Sequence, residues 1–386
     1  MEKVKILSVG IGGYASIYLE HLLDNENPDY EIVGMIDPYS QSAKFYPQLK
    51  EMGVPLYESM EEFYAVSSAD LAIITTPIHL HTPQILCALN HGSNVMCEKP
   101  LSGVSADEAL LQEAIHRTGK FVIIGYQWSY SQAILDLKRD IKNGLFGKAI
   151  LLKSLVFWPR PKEYFTRGSG WGGRITVNGG TVINDSVVNN ATAHYLHNML
   201  YVTGPADGIC NEVTELECDL LRTNAIENFD TATLRFTMAD GAKGLFVVSH
   251  ATEDTVNPVF EYRFEKGVVS YCETDQQIIA RFYDGTEKHY GNPFDNVNRK
   301  IDVAIQHARE SGFEPPCGVT AAAAQVRCVE KVQQHPIRNV NPRRIREKVT
   351  DGGHFLYVEG LDDLLMRCYR EEKLLSDDPA YREAVD

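Results

Sequence analysis

The sequence predicts an α/β fold: an N-terminal Rossmann domain with a doubly wound parallel sheet, followed by a C-terminal α+β domain with a mostly antiparallel open sheet. Short apolar strands separated by helical segments predict the parallel sheet. After about Gly147, segments that alternate apolar and polar residues predict half-buried antiparallel strands. We therefore expect one domain at 1–128, a second at 129–335 and a helical extension at 336–386.

Six strands and four helices are expected in the first domain. The predicted strands are Val4–Val9, Glu31–Ile36, Val54–Leu56, Leu71–Thr75, Asn94–Cys97 and Phe121–Gly125. The predicted helices are Ala15–Leu23, Ser42–Met52, Pro83–Asn90 and Ala106–Thr118. Parallel strands need such crossover helices and are buried on both faces, which explains why these strand segments are apolar throughout.

The second domain is expected to contain hairpins. Its predicted strands are Ala149–Phe157, Val213–Leu221, Thr231–Met238, Gly244–Ser249 and Tyr262–Tyr271, with turns at Ala239–Ala242 and Glu265–Gly267 and helices at Val297–Ser311 and Val319–Gln334. In the extension, Leu361, Leu364, Leu365 and Cys368 recur at helical spacing. This helix either docks on its own domain or forms a subunit contact or a cover over the site.

The composition excludes several classes of partner. With 37 basic and 52 acidic side chains, the chain carries a net charge of −15, which disfavours nucleic acid and anionic membranes. None of the eight cysteines forms a Cys-x-x-Cys pair, so a zinc site or a thioredoxin-like motif has no support. A metal bound by His194 and His197 is disfavoured because no nearby carboxylate or cysteine has ligand spacing, and no metal site is expected. No apolar run reaches the ~20 residues of a membrane span, and nothing before the first strand suggests a signal peptide. We expect a cytoplasmic protein.

A glycine-rich turn follows the first strand and predicts a dinucleotide site. Gly10, Ile11, Gly12, Gly13 and Tyr14 lie between a strand and a helix, where a pyrophosphate binds to the helix N-terminus. The second strand ends in an acidic residue, Asp37. Its carboxylate suits both adenosine ribose hydroxyls and would repel the extra phosphate of NADP. The expected cofactor is therefore NAD, with NADP less favoured.

Two more strand ends carry candidate residues. The segment Thr75, Thr76 and Pro77 is expected to pass under the cofactor, with His81 lining the cleft or serving only structure. The strand Asn94–Cys97 leads directly to Glu98, Lys99 and Pro100. Oxidation of a secondary alcohol needs a base for the hydroxyl proton and a positive group for the developing alkoxide. Lys99 at this edge suits that chemistry.

These motifs, in order along the chain, resemble the glucose–fructose oxidoreductase/inositol dehydrogenase/MocA (Gfo/Idh/MocA) family of NAD(P)-dependent oxidoreductases. The matching segments are Gly10–Ala15, Thr76–Pro77 with His81, Glu98–Leu101, Gly125–Trp128 and Gly179–Asp185. The resemblance implies hydride transfer at a secondary alcohol of a sugar, inositol or related polyol, with Lys99 contacting substrate and cofactor. It also implies an open sheet that often mediates oligomers, so a dimer or tetramer is expected.

The resemblance also extends the list of candidates in the first domain. We include Glu98 and Gln127 among the cofactor-binding residues and Tyr126 among the substrate-binding residues. Glu98 is interpreted as holding the loop more readily than as a catalytic group.

The second domain departs from the family pattern. Asn189 stands four residues after Asp185, where the family has a histidine. Counted back from Gly204, His194 takes the histidine's place and His197 replaces a second aspartate, which suggests an insertion of about five residues. We expect a helix that begins soon after Asp185 and carries Asn190, His194 and His197 on one face. The catalytic candidates are therefore Lys99, His194 and Asp185.

Further substrate-binding candidates come from the same region. Besides Lys99 and Tyr126, they are Asn189, Asn190, His194, His197, Trp158 and Trp171. The tryptophans lie on a long connection rich in glycine, arginine and aromatic residues, which suits sugar binding but equally fits an ordinary surface loop.

The sequence thus predicts an NAD-dependent oxidoreductase that transfers hydride from a secondary hydroxyl of a sugar, glycoside or cyclitol. Two alternatives stay open. Some members of the family are NAD-dependent glycosidases, which oxidise a hydroxyl transiently, eliminate the aglycone and return the hydride. The missing histidine at position 189 would favour a non-catalytic NAD-binding sensor.

Overall fold

The chain forms two compact units. The computed structural model describes residues 2–24, 29–167 and 170–385. The first unit comprises Met1–Tyr130 with Asn296–Ala323, and the second comprises Ser131–Asp295 with Ala324–Asp386. The units are therefore not contiguous in sequence, unlike the expected domains 1–128 and 129–335. Residues 336–386 belong to the second unit and do not form a separate body.

The first unit is built on a six-stranded parallel sheet. Its strands are β1 (Val4–Val9), β2 (Tyr30–Ile36), β3 (Leu56–Tyr57), β4 (Leu71–Ile74), β5 (Asn94–Cys97) and β6 (Val122–Ile124), in the order β3-β2-β1-β4-β5-β6. The predicted doubly wound sheet is confirmed. The strand order reverses between β1 and β4, and such reversal points form a crevice at the carboxyl edge of the sheet.

Five helices connect these strands. They are α1 (Ala15–Leu23), α2 (Tyr46–Glu51), α3 (Met60–Val66), α4 (His81–Asn90) and α5 (Asp107–Thr118). The helix predicted at Ser42–Met52 is shorter, and α3 was not predicted. The hydroxyl of Ser59 accepts a hydrogen bond from the N–H of Glu62 at 3.1 Å, so the Ser-x-x-Glu spacing marks the start of α3.

The remaining elements follow in chain order. They are α6 (Gln132–Lys142), β7 (Ala149–Phe157), α7 (Lys162–Thr166), β8 (Thr176–Val177), β9 (Thr181–Val182), α8 (Ala193–Val202), β10 (Val213–Arg222), β11 (Thr231–Met238), β12 (Lys243–Ser249), β13 (Val256–Phe264), β14 (Gly267–Tyr271), β15 (Ile278–Phe282), β16 (Glu287–Gly291), α9 (Arg299–His307), α10 (Val319–Val332), β17 (Ile337–Asn339), β18 (Ile345–Thr350), β19 (Gly353–Val358), α11 (Leu361–Glu371) and α12 (Tyr381–Val385). Helix α9 belongs to the first unit.

The second unit contains a nine-stranded open sheet. Its order is β16-β15-β14-β13-β7-β12-β11-β10-β17, and neighbours are antiparallel except at β7–β12 and β10–β17. The predicted mostly antiparallel sheet is confirmed, as is the turn between β11 and β12. On one face, Asn198 of α8 donates to the hydroxyl of Tyr262 at 2.9 Å, which fixes α8 against the sheet.

The C-terminal extension covers the opposite face of this sheet. Buried residues of α11 form one apolar cluster with sheet residues Leu155, Phe157, Leu221, Leu245 and Val247. Of the alternatives left open by the sequence, the helix is therefore docked on its own unit. Among the described residues, none of the helices is both long and apolar enough to cross a membrane.

Candidate active site

The glycine turn joins β1 to α1 at the carboxyl edge of the parallel sheet. Gly10 and Gly13 have φ angles of +86° and +56°, a region that glycine adopts without steric cost. A Cβ at Gly10 would lie 2.8 Å from Thr75 Oγ1, whereas one at Gly13 would meet no described heavy atom within 4 Å. The turn is therefore packed against the loop after β4 at one end and open at the other.

The open end of the turn suits an anionic group. Tyr14 provides no side-chain hydrogen bond to the start of α1. In residues 2–24, 29–167 and 170–385, no backbone or side-chain acceptor pairs with the N–H groups of Gly13 and Tyr14. Unpaired N–H groups and the positive end of a helix dipole together attract phosphate. These residues therefore fit the pyrophosphate of a dinucleotide.

Asp37 lies beside the glycine turn, as the sequence predicts. Its Oδ2 accepts hydrogen bonds from the N–H groups of Ile11 at 2.9 Å and Gly12 at 3.1 Å. Its Oδ1 accepts a third, from the N–H of Tyr39 at 2.8 Å. The carboxylate thus fixes the turn as well as presenting negative charge where a ribose would bind, and its ribose contact stays a prediction.

The loop after β4 closes the other side of the crevice. The hydroxyl of Thr75 donates to the carbonyl oxygen of Gly10 at 3.1 Å, and that of Thr76 donates to Gln84 Oε1 at 2.5 Å. Thr75 therefore borders the glycine turn within the first unit, and contacts of Thr76 and Pro77 with the cofactor stay predictions.

His81 occupies a structural position. Its ring is 1% exposed, and its two nitrogens lie 2.8 Å from the carbonyl oxygens of Thr76 and Pro100. Burial lowers the pKa of His81. The ring therefore links the loop after β4 to the loop that carries Lys99, and its nitrogens are not presented to a cofactor. Of the two alternatives for His81, the structural one agrees with this geometry.

Glu98 anchors the loop after β5. Its Oε1 accepts a hydrogen bond from Lys300 Nζ at 2.7 Å and a short one from the hydroxyl of Tyr18. Its Oε2 accepts the backbone N–H of Lys99 at 3.1 Å. A Cβ at Gly125 would lie 2.7 Å from Glu98 Oε1, so glycine is required there.

The charge of Glu98 is set by two opposing effects. Burial alone would raise the pKa of Glu98, but Lys300 and Lys99 favour the carboxylate more strongly, so the pKa is lowered overall. Burial and the carboxylate together raise the pKa of Tyr18 well above its usual range. Glu98 is therefore an ionised positioning residue for Lys99.

Lys300 was not predicted from the sequence. It lies on α9, 202 residues from Glu98, and donates a second hydrogen bond to the carbonyl oxygen of Gly125 at 3.2 Å. Lys300 shares the buried face of α9 with Ile301, Ala304 and Ile305. A lysine among apolar residues on such a face needs a partner for its charge, and this pattern could have identified it.

The motif after β6 contributes one accessible candidate. Tyr126 is 1% exposed, whereas Gln127 is partly exposed and opens a 3-10 turn that ends at Tyr130. Gln127 is therefore the more accessible of the two predicted ligand-binding residues.

The helix expected soon after Asp185 begins later. Helix α8 starts at Ala193, and the residues between Asp185 and Ala193 form turns. The prediction that Asn190 shares a helix face with His194 and His197 is therefore wrong. The hydroxyl of Thr192 accordingly donates to the carbonyl oxygen of Val187 at 2.5 Å, a side-chain bond that competes with helical pairing.

These turns are held by Asp185 and Asn189. Asp185 is 2% exposed, with Oδ1 accepting from Asn190 Nδ2 at 2.7 Å and Oδ2 from the N–H of Gly173 at 2.5 Å. Asn189 donates to the carbonyl oxygens of Ile183 and Asn184, and its Oδ1 accepts from Gln325 at 3.2 Å. The Asn189 amide is thus occupied by the protein itself, which fits a positioning role better than the predicted substrate contact.

The two histidines of α8 differ in environment. His194 lies in the first turn of the helix and is 8% exposed. His197 is 1% exposed and stacks on Tyr201 with ring centroids 5.6 Å apart. Burial, followed by the charge of Lys138, lowers the pKa of His197 to about 3. His197 is therefore neutral at physiological pH, and the role of His194 as the base stays a prediction.

The long connection after β7 contains stacked aromatic and arginine side chains. The Arg160 guanidinium lies over the rings of Trp158 and Tyr164, and that of Arg167 over those of Tyr164 and Trp171. The indole N–H of Trp158 donates to Asn257 Oδ1 at 3.0 Å. The structure therefore joins the two predicted tryptophans through residues that the sequence did not single out.

The parallel sheet and its open glycine turn define a dinucleotide-binding protein of the Rossmann type. Residues 4–126 match the family model described as "Oxidoreductase family, NAD-binding Rossmann fold". The predicted resemblance to the Gfo/Idh/MocA family is confirmed over these residues, and the expected cofactor, NAD, agrees with the description of the family model.

The sequence relatives of this chain include inositol dehydrogenases. The chain is 24% identical over 166 residues to an inositol 2-dehydrogenase of Corynebacterium glutamicum, covering 42% of this chain and 49% of the relative. It is 26% identical over 197 residues to the scyllo-inositol 2-dehydrogenase (NAD(+)) of Bacillus subtilis, covering 50% and 54%. The chain thus spans about half the length of the curated relatives that it matches.

Solved structures share the fold over most of the chain. The WlbA dehydrogenase from Bordetella pertussis, in complex with NADH and UDP-GlcNAcA, aligns with a TM-score of 0.70 at 20% identity, over 86% of this chain and 96% of that one. At this identity the likeness describes the fold.

Proposed function

We propose that this protein is an NAD-dependent oxidoreductase that transfers hydride from a secondary hydroxyl of a sugar, glycoside or cyclitol to NAD. The observation that carries the proposal lies within the first unit. The open glycine turn after β1 and Lys99 after β5 stand at the same carboxyl edge of one parallel sheet. The inositol dehydrogenases among the relatives support the substrate class.

The cofactor would be held by the glycine turn and by Asp37. NAD, when bound, supplies the hydride acceptor. The two hydrogen bonds from Ile11 and Gly12 to Asp37 keep the carboxylate at the end of β2, where it favours ribose hydroxyls over a 2′-phosphate. We therefore propose NAD rather than NADP as the cofactor.

Lys99 stabilises the alkoxide that forms as the hydroxyl loses its proton. An ammonium group suits this role because it offers positive charge and three hydrogen-bond donors. Glu98 fixes the backbone of Lys99, and His81 fixes the carbonyl oxygen of the next residue, Pro100. The lysine thus extends from a loop that is anchored on both sides.

His194 is proposed as the base that accepts the hydroxyl proton. Asp185 is the alternative, but both of its carboxylate oxygens already accept hydrogen bonds from Gly173 and Asn190. We assign Asp185 the supporting role of fixing the turns before α8. Cytoplasmic localisation and assembly into a dimer or tetramer also stay predictions; the eight unpaired cysteines favour a reducing compartment.

The proposal is tested by measuring NADH formation with sugars, inositols and glycosides. For the best substrate, Lys99→Ala and His194→Ala should each lower kcat by about a hundredfold or more, while exposed Lys50→Ala should leave it unchanged. NAD binding should survive in all three variants.

Three results would contradict the proposal. Near-native turnover of Lys99→Ala would remove the role of the lysine. Release of aglycone from glycosides without net NADH would identify the glycosidase reaction. NAD binding without turnover of any polyol would identify a sensor.

A further inference from the structure

Five side chains of the second unit form a stacked array that we call the arginine ladder: Trp158, Arg160, Tyr164, Arg167 and Trp171. The Arg160 guanidinium lies 5.6 Å from the Trp158 ring centroid and 4.9 Å from that of Tyr164. The Arg167 guanidinium lies 3.6 Å from Tyr164 and 4.8 Å from Trp171. Two positive charges therefore flank one aromatic ring.

Neither arginine forms an ion pair within the described part of the chain. The Nε of Arg160 is buried and has no hydrogen-bond partner there, and Arg167 donates to the backbone oxygen of Tyr164. Arg160 as a whole is partly exposed, but a buried donor without an acceptor costs free energy, so its Nε would gain from an acceptor supplied by a ligand.

The groups around the ladder leave it positively charged. His250 packs against Tyr164 at 5.9 Å. Its pKa is lowered to about 3, first by burial and then by Arg160, so the imidazole is neutral. Asp185 is a negative group near Tyr164, and its oxygens already bind Gly173 and Asn190. Among the charged groups that act on Tyr164, the two arginines outnumber the one carboxylate.

The loop that carries the ladder is fixed at both ends. Pro161 forms a β-bridge with Phe355 of β19, and the carboxylate of Glu163 accepts the N–H of His354 at 3.2 Å. At the other end, the N–H of Gly173 binds Asp185 at 2.5 Å. The ladder is therefore held by the extension on one side and by Asp185, which also fixes the turns before α8, on the other.

We propose that the arginine ladder binds an oxyanion of the substrate, so that the preferred substrate is an acidic sugar or polyol bearing a carboxylate or a phosphate ester. A planar guanidinium binds either group through paired N–H donors, and the flanking aromatic rings contact the apolar face of a sugar ring. This inference rests on the proposed function, because it names the substrate class of the same enzyme.

Calorimetric binding to the NADH-loaded protein tests the inference without turnover. The probes are two matched series: glucose, glucuronate and glucose 6-phosphate, and galactose, galacturonate and galactose 6-phosphate. We expect the acidic member of at least one series to bind about tenfold or more tightly than its neutral counterpart. Comparison of the carboxylate with the phosphate ester identifies which oxyanion is bound. Equal affinities within both series, or no binding of any acidic probe, would overturn the inference.

Substitutions test whether the arginine ladder causes the preference for acidic probes. Arg160→Gln and Arg167→Gln should each weaken binding of the acidic probe by about tenfold, while the neutral sugar changes little. Arg160→Lys keeps the charge but loses the planar fork, so it should restore only part of the affinity. Arg174→Gln removes an exposed arginine of the same loop and serves as the matched control. If the Arg174 variant weakens binding as much as the other two, or if the two ladder variants lose acidic and neutral ligands equally, the ladder is only structural.

The two proposals fail separately. Preference for acidic probes without NADH formation from any of them would reject the oxidoreductase proposal and keep the oxyanion site. NADH formation from neutral polyols, with no preference for acidic ones, would keep the oxidoreductase proposal and reject the oxyanion site.

Discussion

Lys300 Nζ donates a 2.7 Å hydrogen bond to Glu98 Oε1 in the interior of the first unit, with side-chain exposures of 1% and 8%. The pair links α9 to the residue that precedes the proposed catalytic lysine. Because both ends are buried, each group depends on the other for compensation of its charge.

Removal of the lysine should destabilise the protein strongly. Lys300→Met leaves Glu98 buried with one hydroxyl donor and one backbone donor, and we expect a loss of about 3–5 kcal/mol in the free energy of unfolding. Denaturant titration measures this loss. Lys44→Met, which removes an exposed ion pair with Glu20, should cost less than about 1 kcal/mol. Equal costs for the two variants would contradict a special role for the buried pair.

The same pair predicts an acid dependence of stability. The folded pKa of Glu98 is lowered from 4.5, so its contribution is fully present above the unfolded pKa and is lost as pH falls through the folded pKa. In Lys300→Met, burial then dominates and raises the folded pKa, so acidification should reduce the difference in unfolding free energy between variant and native protein. Denaturant titrations at about pH 7 and about pH 4.5 test this. A difference that grows towards acid would contradict it.

Asp37 should determine the choice between NAD and NADP. Asp37→Ser removes the charge that repels a 2′-phosphate, and we expect the ratio of kcat/KM for NADP to that for NAD to rise about tenfold or more. Asp37→Asn is the control, because it removes the charge but keeps an oxygen that can accept from Ile11 and Gly12. A rise in Asp37→Ser without any rise in Asp37→Asn would attribute the effect to the turn rather than to charge.

In the first unit, the features that depend on local sequence patterns could be predicted. The apolar strands, the glycine turn and Lys99 at the end of β5 all follow from residues close together in the chain, and the structure brings them to one edge of a sheet. Lys300 was not predictable in this way, because the partner of a buried lysine lies 202 residues away and chain spacing carries no information about it.

The second unit was less predictable for another reason. The order of the family motif led to a helix beginning near Asp185, but side-chain hydrogen bonds from Asn189 and Thr192 to nearby carbonyl oxygens stabilise turns instead. Asparagine and threonine favour both helix caps and turns. Their presence in the sequence therefore does not determine whether a helix or a turn forms here. The arginine ladder depends likewise on how a long loop folds, because helix α7 covers only Lys162–Thr166 of the segment that carries it.

The C-terminal extension should be required for the stability of the second unit. Leu365 of α11 is fully buried in the cluster that includes Leu155 and Val247, so Leu365→Ala should cost about 2–5 kcal/mol in the free energy of unfolding. Arg370→Ala, at an exposed position of the same helix, should cost less than about 1 kcal/mol.

Deletion of residues 342–386 extends this test to assembly. It uncovers the apolar centre of the sheet, including Phe157 and Leu245, and a contiguous apolar surface of this kind promotes association. We expect the truncated protein to form larger species than the full chain as concentration rises, which light scattering coupled to size-exclusion chromatography detects. Unchanged mass together with unchanged stability would mean that the extension contributes nothing to covering the sheet. Because the extension also holds the loop that carries the arginine ladder, through Pro161 and Phe355, the deletion should weaken binding of acidic sugars even in the fraction that does not form larger species.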